Sequence, residues 1–189
     1  MQHANKTRGA GPLGSSGLIA RWGASSLVKS VQSGTMGSWT NATNTATISA
    51  VDTANTLVFH DGQTYDTAGN TYAQYPFVSL ALTDSTTLTA TKSAGGLGNT
   101  QLSWFVVEFL PGVIKSVQSG TVLTESTATV TAVNTAKSVL MNNGHRAYYF
   151  YDQAYSHSMI VLTNATTITC SRGAAYASHY HQYQLVEFF

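Results

Sequence analysis

The chain is expected to be all-β: two tandem antiparallel β-sandwich domains of the same fold, preceded by an extended N-terminal arm. Three observations carry this. The sequence repeats itself over most of its length. The repeated segments alternate apolar with small or hydroxyl residues. Thr and Ser make up about a quarter of the 189 residues, and a branched Cβ suits a pleated surface.

The repeat opens with Val28-Lys29-Ser30-Val31-Gln32-Ser33-Gly34-Thr35, which returns as Ile114-Lys115-Ser116-Val117-Gln118-Ser119-Gly120-Thr121. It closes with Val107-Glu108-Phe109 and again with Val186-Glu187-Phe188. A period this long marks a duplicated domain, not a solenoid. The boundaries read as an arm over 1–27, one repeat over 28–111 and another over 112–189. The offset between copies drifts from 86 at Lys29 and Lys115 to 79 at Glu108 and Glu187. A strand cannot lose one residue without turning its faces over, so each change of offset is assigned to a loop. The loops fall near 36–44, 60–76 and 93–100, and near 122–127, 142–157 and 171–178.

Between the loops each copy reads as six or seven short strands with no convincing helix. Thr45–Val51 and Thr127–Val133 alternate. Thr56–Phe59 and Ser138–Met141 are short apolar runs, and Val78–Leu82 and Met159–Leu162 follow the long loops. Asp84 and Asn164 close Asx turns, and Thr87–Ala90 and Thr167–Cys170 complete the hairpins. In the last strands Trp104 and Val106 share one face, as do Tyr183 and Leu185. Phe105, Val107 and Phe109 take the other face, matched by Gln184, Val186 and Phe188. Apolar residues on both faces imply a second face covered by the sister domain or by a neighbouring subunit.

Charge is sparse, at 9 % of residues with a net charge of +1. Basic residues are few and scattered, which argues against a nucleic-acid partner. No apolar run is long enough for a membrane span, so no membrane insertion is expected, and no segment has the build of a secretory signal. The single cysteine, Cys170, aligns with Ala90 and reads as a small core residue. A chain so poor in Lys and Glu defends its sheet edges weakly. A homo-oligomer, with a trimer expected, would cover them.

The arm is rich in Gly, Ala and Ser. It carries Arg8, an apolar knot of Leu18, Ile19 and Trp22, and Arg21. It reads either as a disordered tail or as an anchor docking on a larger neighbour.

A search for chemistry finds no nucleophile elbow, phosphate-binding glycine loop or zinc-protease motif. Glu108 and Glu187 occupy one repeated position, and Asp52 and Asp84 align with Asn134 and Asn164, so these acids read as structural. Asp61 with Asp66 is a weak carboxylate pair. No catalytic residue is expected. The copies diverge in their central loops. One contains Asp61, Tyr65, Asp66, Tyr72 and Tyr75; the other contains Asn143, His145, Arg146, Tyr148, Tyr149, Tyr151, Asp152 and Tyr155. Rigid amphipathic rings beside short amides and carboxylates make recognition surfaces. They suit a glycan or another host-surface receptor. The competing reading is that these tyrosines pack on the sandwich edge or a partner subunit. His179 and His181 fall on one face of a strand. Three chains meeting at an axis would supply six such nitrogens, enough for a transition metal; no other cofactor is expected.

Lys-Ser-Val-Gln-Ser-Gly-Thr, Thr-Ala-Val-Asn-Thr-Ala-Lys-Ser, Leu-Thr-Asn-Ala-Thr-Thr-Ile-Thr and Val-Glu-Phe together resemble a module of tailed-bacteriophage virion structural proteins, of tail fibre, spike or decoration type. The resemblance covers both repeats and not the arm. It implies an oligomeric virion component, assembled in the host cytoplasm, with no catalytic residue to carry over. Through the arm it would meet other virion proteins. Family members usually have a plainer central loop, so the tyrosine-rich insertions are departures from the pattern.

Overall fold

A computed structural model describes residues 27–66, 77–92, 99–147, 158–172 and 179–189. The arm residues Arg8, Leu18, Ile19, Arg21 and Trp22 lie outside them, as do Tyr72, Tyr75, Tyr148, Tyr149, Tyr151, Asp152 and Tyr155. The described chain is all-β. Its first half runs β1 (Val28–Trp39), β2 (Thr43–Thr47), β3 (Thr56–Asp66), β4 (Val78–Asp84), β5 (Thr87–Lys92) and β6 (Asn99–Phe109). The second half repeats the order as β7 (Ile114–Leu123), β8 (Ser126–Thr129), β9 (Ser138–Ala147), β10 (Ser158–Asn164), β11 (Thr167–Arg172) and β12 (His179–Phe188). A 3-10 turn precedes β3 at Thr53–Asn55 and β9 at Thr135–Lys137.

Every strand pairing described is antiparallel. In the first half β1-β6-β3 forms one sheet and β2-β5-β4 another. In the second half the matching strands give β7-β12-β9 and β8-β11-β10. One bridge, Ser79 to Gly144, joins β4 to β9 and makes a continuous six-stranded sheet across the halves.

Each half has its own core, drawn from both of its sheets. The first gathers Met36, Val58, Leu80, Leu88, Trp104 and Val106 among others. The second gathers Val122, Ile168, Cys170, Tyr183 and Leu185. Cys170 is buried, as its alignment with Ala90 implies, and burial pushes its thiol pKa up. A third cluster lies between the halves, where Leu57 meets Ile114 and Val186, with Phe109 and Phe188 edge to face at 6.4 Å.

The repeated phrases have physical causes. Glu108 is 2 % exposed; it accepts from Lys29 Nζ at 2.8 Å, Ser30 Oγ at 3.1 Å and the Asp52 amide at 2.9 Å. Glu187 accepts from Lys115 Nζ and the Asn134 amide, both at 2.9 Å. Asp52 and Asn134 then cap the 3-10 turns through the amides of Ala54 and Ala136. Gln32 grips Ser49 through both backbone groups, and Gln118 grips Thr131 the same way. A Cβ on Gly34 would meet the Trp104 ring at 2.7 Å, and one on Gly120 would meet the Tyr183 hydroxyl at 2.7 Å. The glycine in Gln-Ser-Gly-Thr therefore makes room for the aromatic across the strand pair.

Three sequence expectations need correction. Thr45–Val51 and Thr127–Val133 are not whole strands: pairing ends at Thr47 and Thr129. Ile48 and Val51 both turn into the core, a spacing of three that a strand with period two cannot provide. The loops assigned to 60–76 and 142–157 begin later, because β3 runs on to Asp66 and β9 to Ala147. Each strand absorbs its irregularity at a positive-φ glycine, Gly62 at 148° and Gly144 at 91°. Similarly, β1 runs on to Trp39 and β7 to Leu123, through the starts of the loops placed at 36–44 and 122–127.

Candidate functional site

The divergent segments sit between matching strands. Residues 67–76 separate β3 from β4, and 148–157 separate β9 from β10. Both lie outside the described residues, but their shoulders do not. Tyr65 and Asp66 end β3, in register with Thr100 and Asn99. Asp61 is exposed beside the Gly62 bulge. Gln63 Oε1 accepts from the Val78 amide at 3.1 Å and lies 3.2 Å from His60 Nε2. This carbonyl ties the two ends of the first segment together. Burial lowers the pKa of His60.

The shoulder of the second segment is built differently. Asn143, the counterpart of Asp61, is 4 % exposed. His145 stacks on Phe77 at 4.2 Å, and Arg146 lies over the Tyr180 ring at 5.3 Å. His179 and His181 do share a face, as the alternation of β12 requires, but that face points inward: they are 0 % and 1 % exposed. They take the core places held in the first half by Thr100 and Leu102. His145 stacks over both, at 5.9 Å from His179 and 5.2 Å from His181. Its ring plane is within 12° of that of His179 and 26° of that of His181. Among the described residues no group of three or more His, Cys, Asp or Glu is placed to hold a metal. Burial also corrects the expectation of a shared axis, since imidazoles inside one half present no ligand to two other chains.

One arrangement was not legible in the sequence. His181 Nε2 lies 2.5 Å from Ser158 Oγ, and its Nδ1 lies 3.2 Å from Asn142 Nδ2. Serine, imidazole and amide thus line up as a nucleophile, a base and its orienting group would. The base is poorly matched to that work. Burial, then the neighbouring His179, lowers the His181 pKa to about 4, far from the neutral range in which a general base is efficient. At neutral pH its imidazole is uncharged. No motif pointed to Ser158, because the three residues come from three strands.

The described acids are mostly engaged by the frame. Asp84 and Asn164 each accept from the amide two residues on, that of Thr86 or Thr166. Glu125 pairs with Arg172 at 3.1 Å. Arg172 has a buried counterpart, Lys92, whose ammonium reaches the Trp39 carbonyl at 3.1 Å. A cleft of about 250 Å³ opens beside the Gly62 bulge, lined by Thr35, Gln63, Thr64, Gln101 and Ser103 among others. Hydroxyls and amides line it, and no lining residue is an acid or a base. It lies below the roughly 300–1,000 Å³ usual for small-molecule sites.

No family model, curated protein or solved structure matches the chain. Among the described residues no helix is long and apolar enough to cross a membrane.

Proposed function

We propose that the chain is a non-enzymatic structural protein of a tailed-bacteriophage particle, of tail-fibre or spike type. In this reading 28–111 and 112–189 are tandem β-sandwiches of one fold. The 1–27 arm anchors them to other virion proteins, and the Tyr-rich loops meet a host-surface receptor or glycan. The phage assignment rests on the sequence motifs alone. The observation that carries the structural role is what the repeated acids do. Glu108 and Glu187 bind the amides of Asp52 and Asn134, and Asp52 and Asp84 cap turns, so these carboxylates maintain the frame. Glu125 pairs with Arg172, and the remaining acids, Asp61, Asp66 and Asp152, fall in or beside the two divergent segments. The neutral cleft at Gly62, with its hydroxyl and amide lining, also suits a polar uncharged ligand better than bond-breaking chemistry.

A second reading is a head-decoration or collar protein that stabilises the particle. The exposed apolar side chains Val31, Phe59 and Phe105 on the outer face of β1-β6-β3 favour it, because they offer subunit contacts. A trimer is one way to cover them. A free carbohydrate-binding protein is the third. One set of measurements separates these readings. Excess purified protein blocks phage adsorption if it binds the receptor. Deleting a decoration protein leaves adsorption intact and makes particles less stable. A free lectin binds glycan arrays without any particle. Loss of neither adsorption nor particle stability on deletion would contradict both virion readings.

A further inference from the structure

The joint between the halves has two sides, and each side has a counterpart at the far end of the molecule. In the joint, the first half offers the β3 edge at Thr56 and Val58, the side chain of Leu57, and β4 at Ser79. The second half receives them on the outer face of β7-β12-β9, with Gln184, Val186, Val117, Met141 and the Gly144 bulge. Register carries each side across. The counterparts of Leu57 and Ser79 are Val139 and Met159, which are 49 % and 61 % exposed. Those of Val117, Met141 and Gln184 are Val31, Phe59 and Phe105, at 59 %, 37 % and 38 % exposed. Five of the eight large exposed apolar side chains among the described residues are thus unoccupied halves of a contact the chain already makes once. Gly62 repeats the Gly144 bulge. A Cβ at Gly144 would strike the Val78 carbonyl oxygen, whereas one at Gly62 would meet nothing within 4 Å.

From this correspondence we infer that a second copy of the chain docks head to tail, its β9 and β10 edge on the Val31, Phe59 and Phe105 face of the first. The contact is heterologous, so it closes into a ring or runs on as a filament according to the rotation between copies. Two exchanges make it weaker than the internal joint. Phe105 replaces the Gln184 amide that satisfies the β3 edge, and Asp61 replaces the buried Asn143. The association is therefore reversible.

The inference rests on the equivalence of the halves and not on the phage reading, because it is tested on purified protein. With Cys170→Ala as background, the residue that Ala90 supplies at the equivalent place in the first half, Val31→Cys and Val139→Cys are made separately. Under mild oxidation the mixture forms disulfide-linked pairs and neither variant alone does. In light scattering the mean mass of the unmodified chain rises with concentration. Val139→Asp lowers the association constant about tenfold or more, equivalent to about 1.4 kcal/mol, and Asp61→Asn raises it. Circular dichroism and thermal melting show that each variant folds. A mass fixed at one chain at all concentrations would overturn the inference, as would Val31→Cys linking to itself.

Discussion

The side chain of Gln184 completes the edge of a strand in the other half. Its Oε1 accepts from the Val58 amide and its Nε2 donates to the Thr56 carbonyl, both at 3.0 Å. Gln184 is 3 % exposed, so both bonds are made out of water. One amide thus stands in for a neighbouring strand, as Gln32 and Gln118 do within each half. Replacing Gln184 with Leu leaves a buried donor and acceptor without partners, at a cost of about 2 kcal/mol. Urea unfolding of Gln184→Leu checks this, with an expected midpoint below that of Gln118→Leu. Gln118 and its partner Thr131 are at the surface, where water replaces the lost bonds.

The buried histidines set an acid-sensitive step. The His181 pKa is lowered from 6.5 to about 4, chiefly by burial, and His179 is lowered for the same reason. A depressed histidine favours the neutral folded state. Its contribution is complete above 6.5 and is lost as pH falls from 6.5 toward 4. At about 1.4 kcal/mol per unit, His181 accounts for roughly 3 kcal/mol across that window. Chemical denaturation at steps between pH 7 and 4 measures the slope, and His181→Leu, which restores the residue found at position 102, flattens it.

A second acid step belongs to the glutamates. Burial pushes the Glu108 carboxyl up, but the bonds from Lys29, the Asp52 amide and Ser30 outweigh it, and the pKa falls below 4.5. Its stabilisation is present above 4.5 and is lost as pH falls below that value. Glu108→Gln therefore destabilises at pH 7 and costs progressively less below pH 4. Comparing the unfolding free energies of this variant and the unmodified chain at both values checks the sign.

The two bulge glycines separate backbone strain from steric contact. At Gly62 an alanine meets only the positive φ, at about 1–3 kcal/mol. At Gly144 it also meets the Val78 carbonyl oxygen at the joint between the halves. Gly144→Ala is expected to lower the melting temperature by at least twice as much as Gly62→Ala, as read by differential scanning calorimetry.

Much of the frame was legible because the chain states it twice. The alternation in Thr-Leu-Thr-Ala and Thr-Ile-Thr-Cys placed β5 and β11, and the two-faced pattern of Trp104 to Phe109 placed β6. The inward turn at Ile48 and Val51 was not legible, since alternation looks the same until a cap at Asp52 ends it. The Gly62 and Gly144 bulges hid for another reason: both copies carry the irregularity at the same place, so the offset between them does not change there. His179 and His181 were found as a pair on one face. Which side of the sheet that face looks toward depends on β7 and β9, and local spacing does not carry that. The clamp from Gln184 to Val58 had no local signal either, because its partners are 126 residues apart.

Residue-resolved amide hydrogen exchange reads the equivalence of the two halves, and their joint through β12, one amide at a time. Matched protection is expected at Asp52 and Asn134, at Ser49 and Thr131, and at Ile48 and Val130, each held by a corresponding acceptor. Slow exchange is expected at Val58, whose amide is held by Gln184. Fast exchange at Val58, or protection in one member of these pairs and not the other, would contradict two equivalent halves joined through β12.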